Sequence, residues 1–189
     1  MSRAYTQKRR AEQKAETRQR IVEAAVDLHG SVGPALTTVS MIAERAGVQR
    51  HTFYAHFPDE QSLFMACSGL SLERDPLPDP EPWRALEGAE RLRAGLLAIY
   101  GWYERNAELL ACVLRDAEYH PPTRQISELR FRPAMAAYRE LLGAGLTAGQ
   151  RALLGLALSF HSWRTLALQE GLDSTAAVNA MVRAIAGND

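Results

Sequence analysis

Residues 38–57 read TVSMIAERAGVQRHTFYAHF, and the spacing within them sets the architecture. Val39, Ile42, Ala43 and Ala46 fall at i, i+3, i+4 and i+7, the single apolar stripe of a short helix. Thr37 or Thr38 can cap its start through a side-chain oxygen. Gly47 follows at once, a residue that takes the left-handed backbone of a tight turn without a Cβ clash, and Ala43 is small enough to let two helices cross closely. The pattern is therefore helix, turn, helix. On the second helix, counted at about 100° per residue, Phe53 and Phe57 share the core side while His51 and Ala55 point away, flanked by Thr52 and Tyr54. That outward polar and aromatic face is the candidate reading face for a DNA groove.

The charge distribution agrees with such a role. The chain has 189 residues and no formal net charge, yet residues 1–58 hold nine Lys and Arg against five Asp and Glu, and the remainder is correspondingly acidic. A basic N-terminal third beside an acidic body suits a nucleic-acid reader joined to a regulatory part, although ordinary charge scatter gives the same imbalance. Cys67 and Cys112 lie far apart among apolar residues, which favours small buried thiols over a disulfide framework. No apolar run approaches the roughly 20 residues of a membrane span, and the N-terminus lacks a hydrophobic signal core, so a cytoplasmic protein with no membrane partner is expected.

Working outward from the motif, residues 1–16, with Lys8, Arg9, Arg10 and Lys14, read as a basic N-terminal arm able to touch phosphates or as a solvated tail. Ile21, Ala24, Ala25 and Leu28 give the next helix its stripe, which ends near Gly30 and Gly33. Residues 17–60 then form a three-helix reading domain, and residues 61–189 a helical regulatory and dimerisation domain. The helix from Asp59 to Glu73 connects them, and the four prolines of DPLPDPEP, Asp75 to Pro82, stop it and mark where the body begins.

The body is helical throughout by period. Leu86, Leu96, Leu97, Tyr100 and Tyr103 carry one helix towards Asn106, a shorter one runs from Leu109 to Glu118, and a long one from about Thr123 to Leu142 contains Pro133, which should bend it. Thr147 and Gln150 have capping-box spacing, and Gly171 provides a stop. Between them ALLGLALSFHSWRTLAL, residues 152–168, is apolar almost all round its first half. Such a helix must be covered on every side. One side packs on the body while the other, opened by Gly155 and Ser159, meets a twin subunit, with Val178, Met181, Val182 and Ile185 of the last helix completing a four-helix interface. The alternative is that both helices are central in one monomer.

Catalysis has no support in the residues. His51 and His56 are separated by about 140° of helix and cannot clasp one metal, and no phosphate-cradling loop, zinc-type cysteine set or nucleophile motif is present. Asp116, Glu118 and His120 cluster at a helix end, where a solvated terminus is the plainer reading than a metal site. No cofactor and no metal are expected.

Taken with RQRIVEAAVDLHGSVG at 18–33 and TTVSMIAERAGV at 37–48, the run AGVQRHTFYAHFPDEQSLF at 46–64 closely resembles the N-terminal DNA-binding domain of the TetR/AcrR family of transcriptional regulators. The resemblance covers about the first third of the chain. It implies an all-α protein, an N-terminal three-helix helix-turn-helix domain plus a C-terminal helical ligand-binding and dimerisation domain. It also implies a homodimeric repressor of a near-palindromic operator in double-stranded DNA, released by a small-molecule effector. A helical ligand-binding or scaffolding dimer that no longer reads DNA is the alternative.

Gln49 and Arg50 begin the second motif helix, where Arg50 can bond guanine bidentately and Gln49 adenine or a phosphate. His51 is a further base or backbone donor and Tyr54 a phosphate contact. In the family, positions matching Thr38, Arg50, Thr52, Tyr54 and His56 touch DNA; here His56 is a phosphate contact or a packing residue. The chain departs from the family pattern with Gln49 in place of a frequent serine, His51 of a frequent glycine, and Asp59-Glu60 of a Ser-Lys pair. Glu60 cannot bind phosphate as that lysine does, which implies weaker nonspecific attraction. For an effector pocket, which the resemblance to a ligand-responsive family implies, the aromatic and soft residues Trp102, Tyr103, Cys112, Phe131, Met135, Tyr138, Phe160 and Trp163 are the candidates, since a helix bent at Pro133 cannot pack uniformly, although each is more often plain core than ligand lining.

Overall fold

Helix α1 runs from Arg3 to Ser31 in the computed structural model, which describes residues 3–187. The segment expected as an arm is thus a helical extension. Its composition explains this: between Arg3 and Val32 the only glycine is Gly30 and there is no proline, the residues are mostly strong helix formers, and Lys8 and Glu12 pair at 4.0 Å one turn apart. Ile21, Val22, Ala24, Ala25 and Leu28 are buried, as their spacing requires. The helix ends at a left-handed Gly33 (φ +104°), where an added Cβ would come within 2.5 Å of Asp116 Oδ2. Only glycine fits there.

Among the described residues every regular element is helical. They divide into two compact units, the chain through Arg74 with Ala111–Glu128, and Asp75–Leu110 with the chain from Leu129 onward. In the first, α1 packs against α2 (Val39–Ala46) and α4 (Glu60–Arg74), and α2 against α3 (Arg50–His56). Their common core includes Ile21, Ala25, Ile42, Phe53, Phe57, Leu63 and Phe64, closed by Ile126 of α7 (Pro121–Leu142). Burial of the Ile, Leu and Phe side chains among them contributes about 1.5–3 kcal/mol each, so these helices hold together through their apolar faces rather than through intrinsic helicity. The Cys67 thiol is part of that core, and burial pushes it up to about 12, which keeps it unreactive.

Asp116, near the end of α6 (Ala107–Ala117), is fully buried rather than part of a solvated terminus. It accepts hydrogen bonds from the Ala35 N–H (2.9 Å), the Arg115 guanidinium (2.8 Å) and the Tyr119 hydroxyl (2.8 Å), and so clamps the turn between α1 and α2. Its oxygens are occupied by these donors. His120, at the same end, lies 2.8 Å from Thr123 Oγ1 and 3.7 Å from Glu60 Oε1.

His29 is buried against the Phe64 ring, edge to face with centroids 5.2 Å apart. Burial lowers its imidazole to about 4, against the opposing pull of the Asp116 carboxylate. Folded His29 is therefore neutral while the unfolded chain takes up a proton below about 6.5. Stability is then fully present above about pH 6.5 and falls as the pH drops towards 4, by roughly 2–3 kcal/mol between pH 7 and pH 4.5 from this group alone. Urea unfolding of the parent and of His29→Phe at the two pH values should show that slope in the parent and lose it in the variant.

In the second unit α5 (Gly88–Arg105) is central, with α10 (Ser174–Ala186) packed on it and on α8 (Ala148–Ala157). Asp75, after α4, holds the end of α5: its carboxylate accepts from Arg105 (3.0 and 3.1 Å) and Asn106 (2.7 Å), and its carbonyl from the Trp102 indole (3.1 Å). Helix α7 continues through Pro133, which is exposed, as is Leu129, whose carbonyl loses its donor there. The capping box of Thr147 and Gln150 is formed at the start of α8.

The long apolar helix expected over residues 152–168 is broken. α8 ends at Ala157, and Ser159 caps a new helix, α9 (Phe160–Arg164), by accepting from the His161 N–H at 3.2 Å. The buried Tyr103 hydroxyl donates to the Leu158 carbonyl (2.7 Å), so the break leaves no orphaned acceptor at that residue. A wider π-type turn over Thr165–Gln169 follows. Val178, Val182 and Ile185, expected at a subunit interface, are buried within the chain instead, because α10 turns them towards α5 and α8.

Candidate nucleic-acid interface

Two short helices and one glycine build the site. Thr38 caps α2 by accepting from the Met41 N–H at 3.3 Å, and Ile42, Ala43 and Ala46 are buried on its inner face. Gly47 then takes the left-handed conformation (φ 64°, ψ 41°), with its N–H and that of Val48 bonded back to the Glu44 and Ala43 carbonyls at 3.1 and 2.9 Å. This closes the orphaned end of α2 within two residues and reverses the chain directly into α3. Phe53 and Phe57 anchor α3, 3% and 1% exposed, their rings 5.9 Å apart.

That anchoring dictates what faces outward. Gln49, Arg50, His51, Tyr54 and Ala55 are exposed, as is Thr38, whereas Thr52 and His56 are half-buried at the edges of the face. Gln49 caps α3 by its backbone conformation alone and its side chain makes no capping bond. His51 Nε2 lies 3.3 Å from Thr52 Oγ1, which couples these two neighbours. Of the seven residues expected at the reading face, six thus lie on α3 or at its N-cap, and Thr38 is the N-cap of α2. Arg45, in contrast, is paired with Asp27 at 3.4 Å.

Helix α1 adds cations that the motif alone does not reveal. The Arg18 guanidinium sits 4.9 Å from the centroid of the Phe57 ring, a cation–π contact beside the end of α3. Partial burial, and then the charges of Lys14 and Arg18, lower the His56 imidazole below its ordinary value. His56 is therefore a neutral hydrogen-bonding group in a basic setting. The signal for these residues in the sequence is Lys14 and Arg18 at i, i+4, one face of the helix that precedes the motif.

The sequence matches the profile of bacterial regulatory proteins of the tetR family over residues 21–67, from the buried stripe of α1 to Cys67 of α4. It is also 31% identical over 117 residues to the HTH-type transcriptional regulator TtgW of Pseudomonas putida, a stretch that spans 60% of this chain and 72% of TtgW. The chain belongs to the TetR family. The HTH-type transcriptional regulator SrpR, also of Pseudomonas putida, is equally similar, 31% over 117 residues, but the match spans only 45% of SrpR. A TetR-like transcriptional regulator from Rhodococcus sp. RHA1 has the same fold, with a TM-score of 0.62 at 23% identity over 91% of this chain and 97% of that one. So does the regulator FadR from Bacillus subtilis, solved in complex with stearoyl-CoA, with a TM-score of 0.61 at 18% identity over 89% of this chain and 97% of FadR. The all-helical architecture and the helix-turn-helix of this TetR-family chain are those of the family, and no described helix is long and apolar enough to cross a membrane.

The aromatic residues considered for an effector pocket separate into groups. Trp102, Tyr103, Phe131, Phe160 and Trp163 form one connected ring cluster, with centroids 5.4–6.0 Å apart from Phe160–Trp163 to Trp102–Phe131. Tyr138 packs on Trp83 at 5.2 Å and donates to the Pro78 carbonyl at 2.5 Å. Met135 is half-buried on α7. Cys112 belongs to the first unit, where its thiol donates to the Gly30 carbonyl at 3.4 Å. Tyr100, which sequence reasoning assigned only to a helix stripe, adjoins the cluster at 6.3 Å from Tyr103, and its hydroxyl is buried with no partner, as is the Trp163 indole N–H.

Proposed function

We propose that this TetR-family chain is a homodimeric transcriptional repressor that binds a near-palindromic operator and releases it when a small organic effector binds. The observation that carries the reading is the outer face of α3: Gln49, Arg50, His51 and Tyr54 are exposed together, opposite a fully buried Phe53–Phe57 anchor. In this reading Arg50 and Gln49 contact base edges and His51 a base or the backbone. Tyr54, Thr38, Thr52 and His56 take phosphates and fix register. Two copies spaced about 34–36 Å apart, or somewhat more, enter successive major grooves. Selection of bound fragments from genomic DNA tests it directly; recovery of an inverted-repeat sequence is expected.

The dimer is assigned to α8 and α10. Leu153 and Leu156 of α8 are 38% and 58% exposed, Gly155 between them has open space around its Cα, and Ser159 and Met181 are half-buried. Apolar side chains left uncovered along one face call for a partner, and a second copy covers them with the same face. An added Cβ at Gly155 meets no atom within 4 Å, so Gly155→Arg should leave the isolated subunit folded while placing a charge in the proposed interface. Sedimentation of the variant should give monomers with unchanged helix content, and an unchanged dimer would remove this assignment.

For the effector, the unpartnered Tyr100 hydroxyl and Trp163 indole within the ring cluster of the second unit are the supporting feature, since buried polar groups seek partners. The stearoyl-CoA held by FadR is a precedent for an organic ligand in this fold. Such a ligand releases DNA only if it prefers a conformation whose reading heads are wrongly spaced.

A further inference from the structure

A cavity of about 250 Å³ lies behind the reading helix, wholly within the first unit, lined by residues of the end of α1, α2, α3 and the start of α4. Its walls are Ile42, Phe53, Phe57, Leu63 and Phe64, all buried. Three polar features distinguish it from a packing gap. His29 lines it from α1; it is 5% exposed, and its Nε2 is buried without a hydrogen-bond partner. Asp59 and Glu60 also line it but are exposed, which puts two carboxylates at its mouth. No Lys or Arg lines it among the described residues; Arg18 rests on the Phe57 ring without reaching the lining.

The order of chemistry is buried nitrogen, aromatic walls, then acidic rim. Asp59 Oδ1 already accepts from the Ser62 N–H (2.7 Å), and Glu60 Oε1 stands 3.7 Å from His120 Nε2, so each carboxylate keeps acceptor capacity for another donor. The two carboxylates disfavour an anion at the mouth. We propose that this cavity is a second small-molecule site, one that takes a phenolic amine with its hydroxyl at His29, its ring between Phe53, Phe57 and Phe64, and its ammonium at Asp59 and Glu60. Because burial holds His29 neutral, the imidazole has one nitrogen free to accept. An occupant would brace α3 from behind through Phe53 and Tyr54, but binding itself needs no DNA, so its measurement is independent of the operator reading.

The test is titration of the full-length chain, without DNA, by tyramine, phenethylamine and 4-hydroxyphenylacetate, followed by calorimetry and by amide shifts around Phe53. Tyramine should saturate one site per chain, phenethylamine should bind more weakly, and 4-hydroxyphenylacetate should not bind. Glu60→Gln should weaken tyramine about fivefold, as loss of a partly exposed ion pair does. His29→Phe should remove the advantage of tyramine over phenethylamine, and Val39→Phe, which fills the cavity, should abolish binding. Failure of tyramine to saturate at millimolar concentration, equal binding of the carboxylate, or full affinity in folded Val39→Phe would overturn the assignment.

Discussion

Arg50→Ala in both subunits of the proposed dimer is expected to weaken specific DNA binding by roughly 2–6 kcal/mol, the sum of about 1–3 kcal/mol for the proposed arginine–guanine pair broken in each of two distant and independent reading heads. Arg50 is exposed in the first turn of α3, and no hydrogen bond or ion pair within the described residues holds it. Its removal therefore costs the fold little, and the loss falls on recognition. Fluorescence anisotropy on the selected operator, with circular dichroism as the control for folding, measures it. Discrimination should relax at one base pair per half-site while other positions keep theirs. Equal affinity of parent and variant would exclude Arg50 from the base contacts.

Asp116→Ala is expected to lower stability by about 2–3 kcal/mol, because it leaves the Ala35 N–H without an acceptor and removes the buried acceptor to which Arg115, itself half-exposed, and Tyr119 donate. Burial works against ionisation of this carboxylate, but the hydrogen bonds from Arg115, Ala35 and Tyr119 prevail and hold it below its ordinary value. Its contribution is thus present at neutral pH and lost only as the pH falls below about 4, beneath the window in which His29 acts. Asp116→Asn keeps an acceptor for Ala35 and should cost less than the alanine variant. Urea unfolding at pH 7 ranks the three proteins; an alanine variant within about 1 kcal/mol of the parent would show that the clamp does not hold the turn.

The reading head and the start of α8 were legible because their rules are local. The stripe of Val39, Ile42, Ala43 and Ala46, the left-handed Gly47 and the Thr147–Gln150 capping box each need information from only a few neighbouring residues, and each is present as expected. What was not legible depends on distant partners. The break after Ala157 is stabilised by Tyr103, far away in sequence, and the burial of Val178, Val182 and Ile185 follows from which side of α10 meets α5. Asp116 reads as a solvated helix end until Ala35, across 81 residues, supplies its N–H. Lys14 and Arg18 belong beside α3 only because α1 reaches back as one continuous helix.

The central claim is that the outer face of α3 docks on duplex DNA, and the salt dependence of affinity for the selected operator tests it most directly. Each phosphate neutralised contributes a slope of about −0.9 in log K against log salt, so a few contacts per reading head predict a fall of at least about tenfold between about 50 and 200 mM salt. No binding to operator or genomic DNA at low salt would contradict the account and favour a helical ligand-binding dimer that does not read DNA.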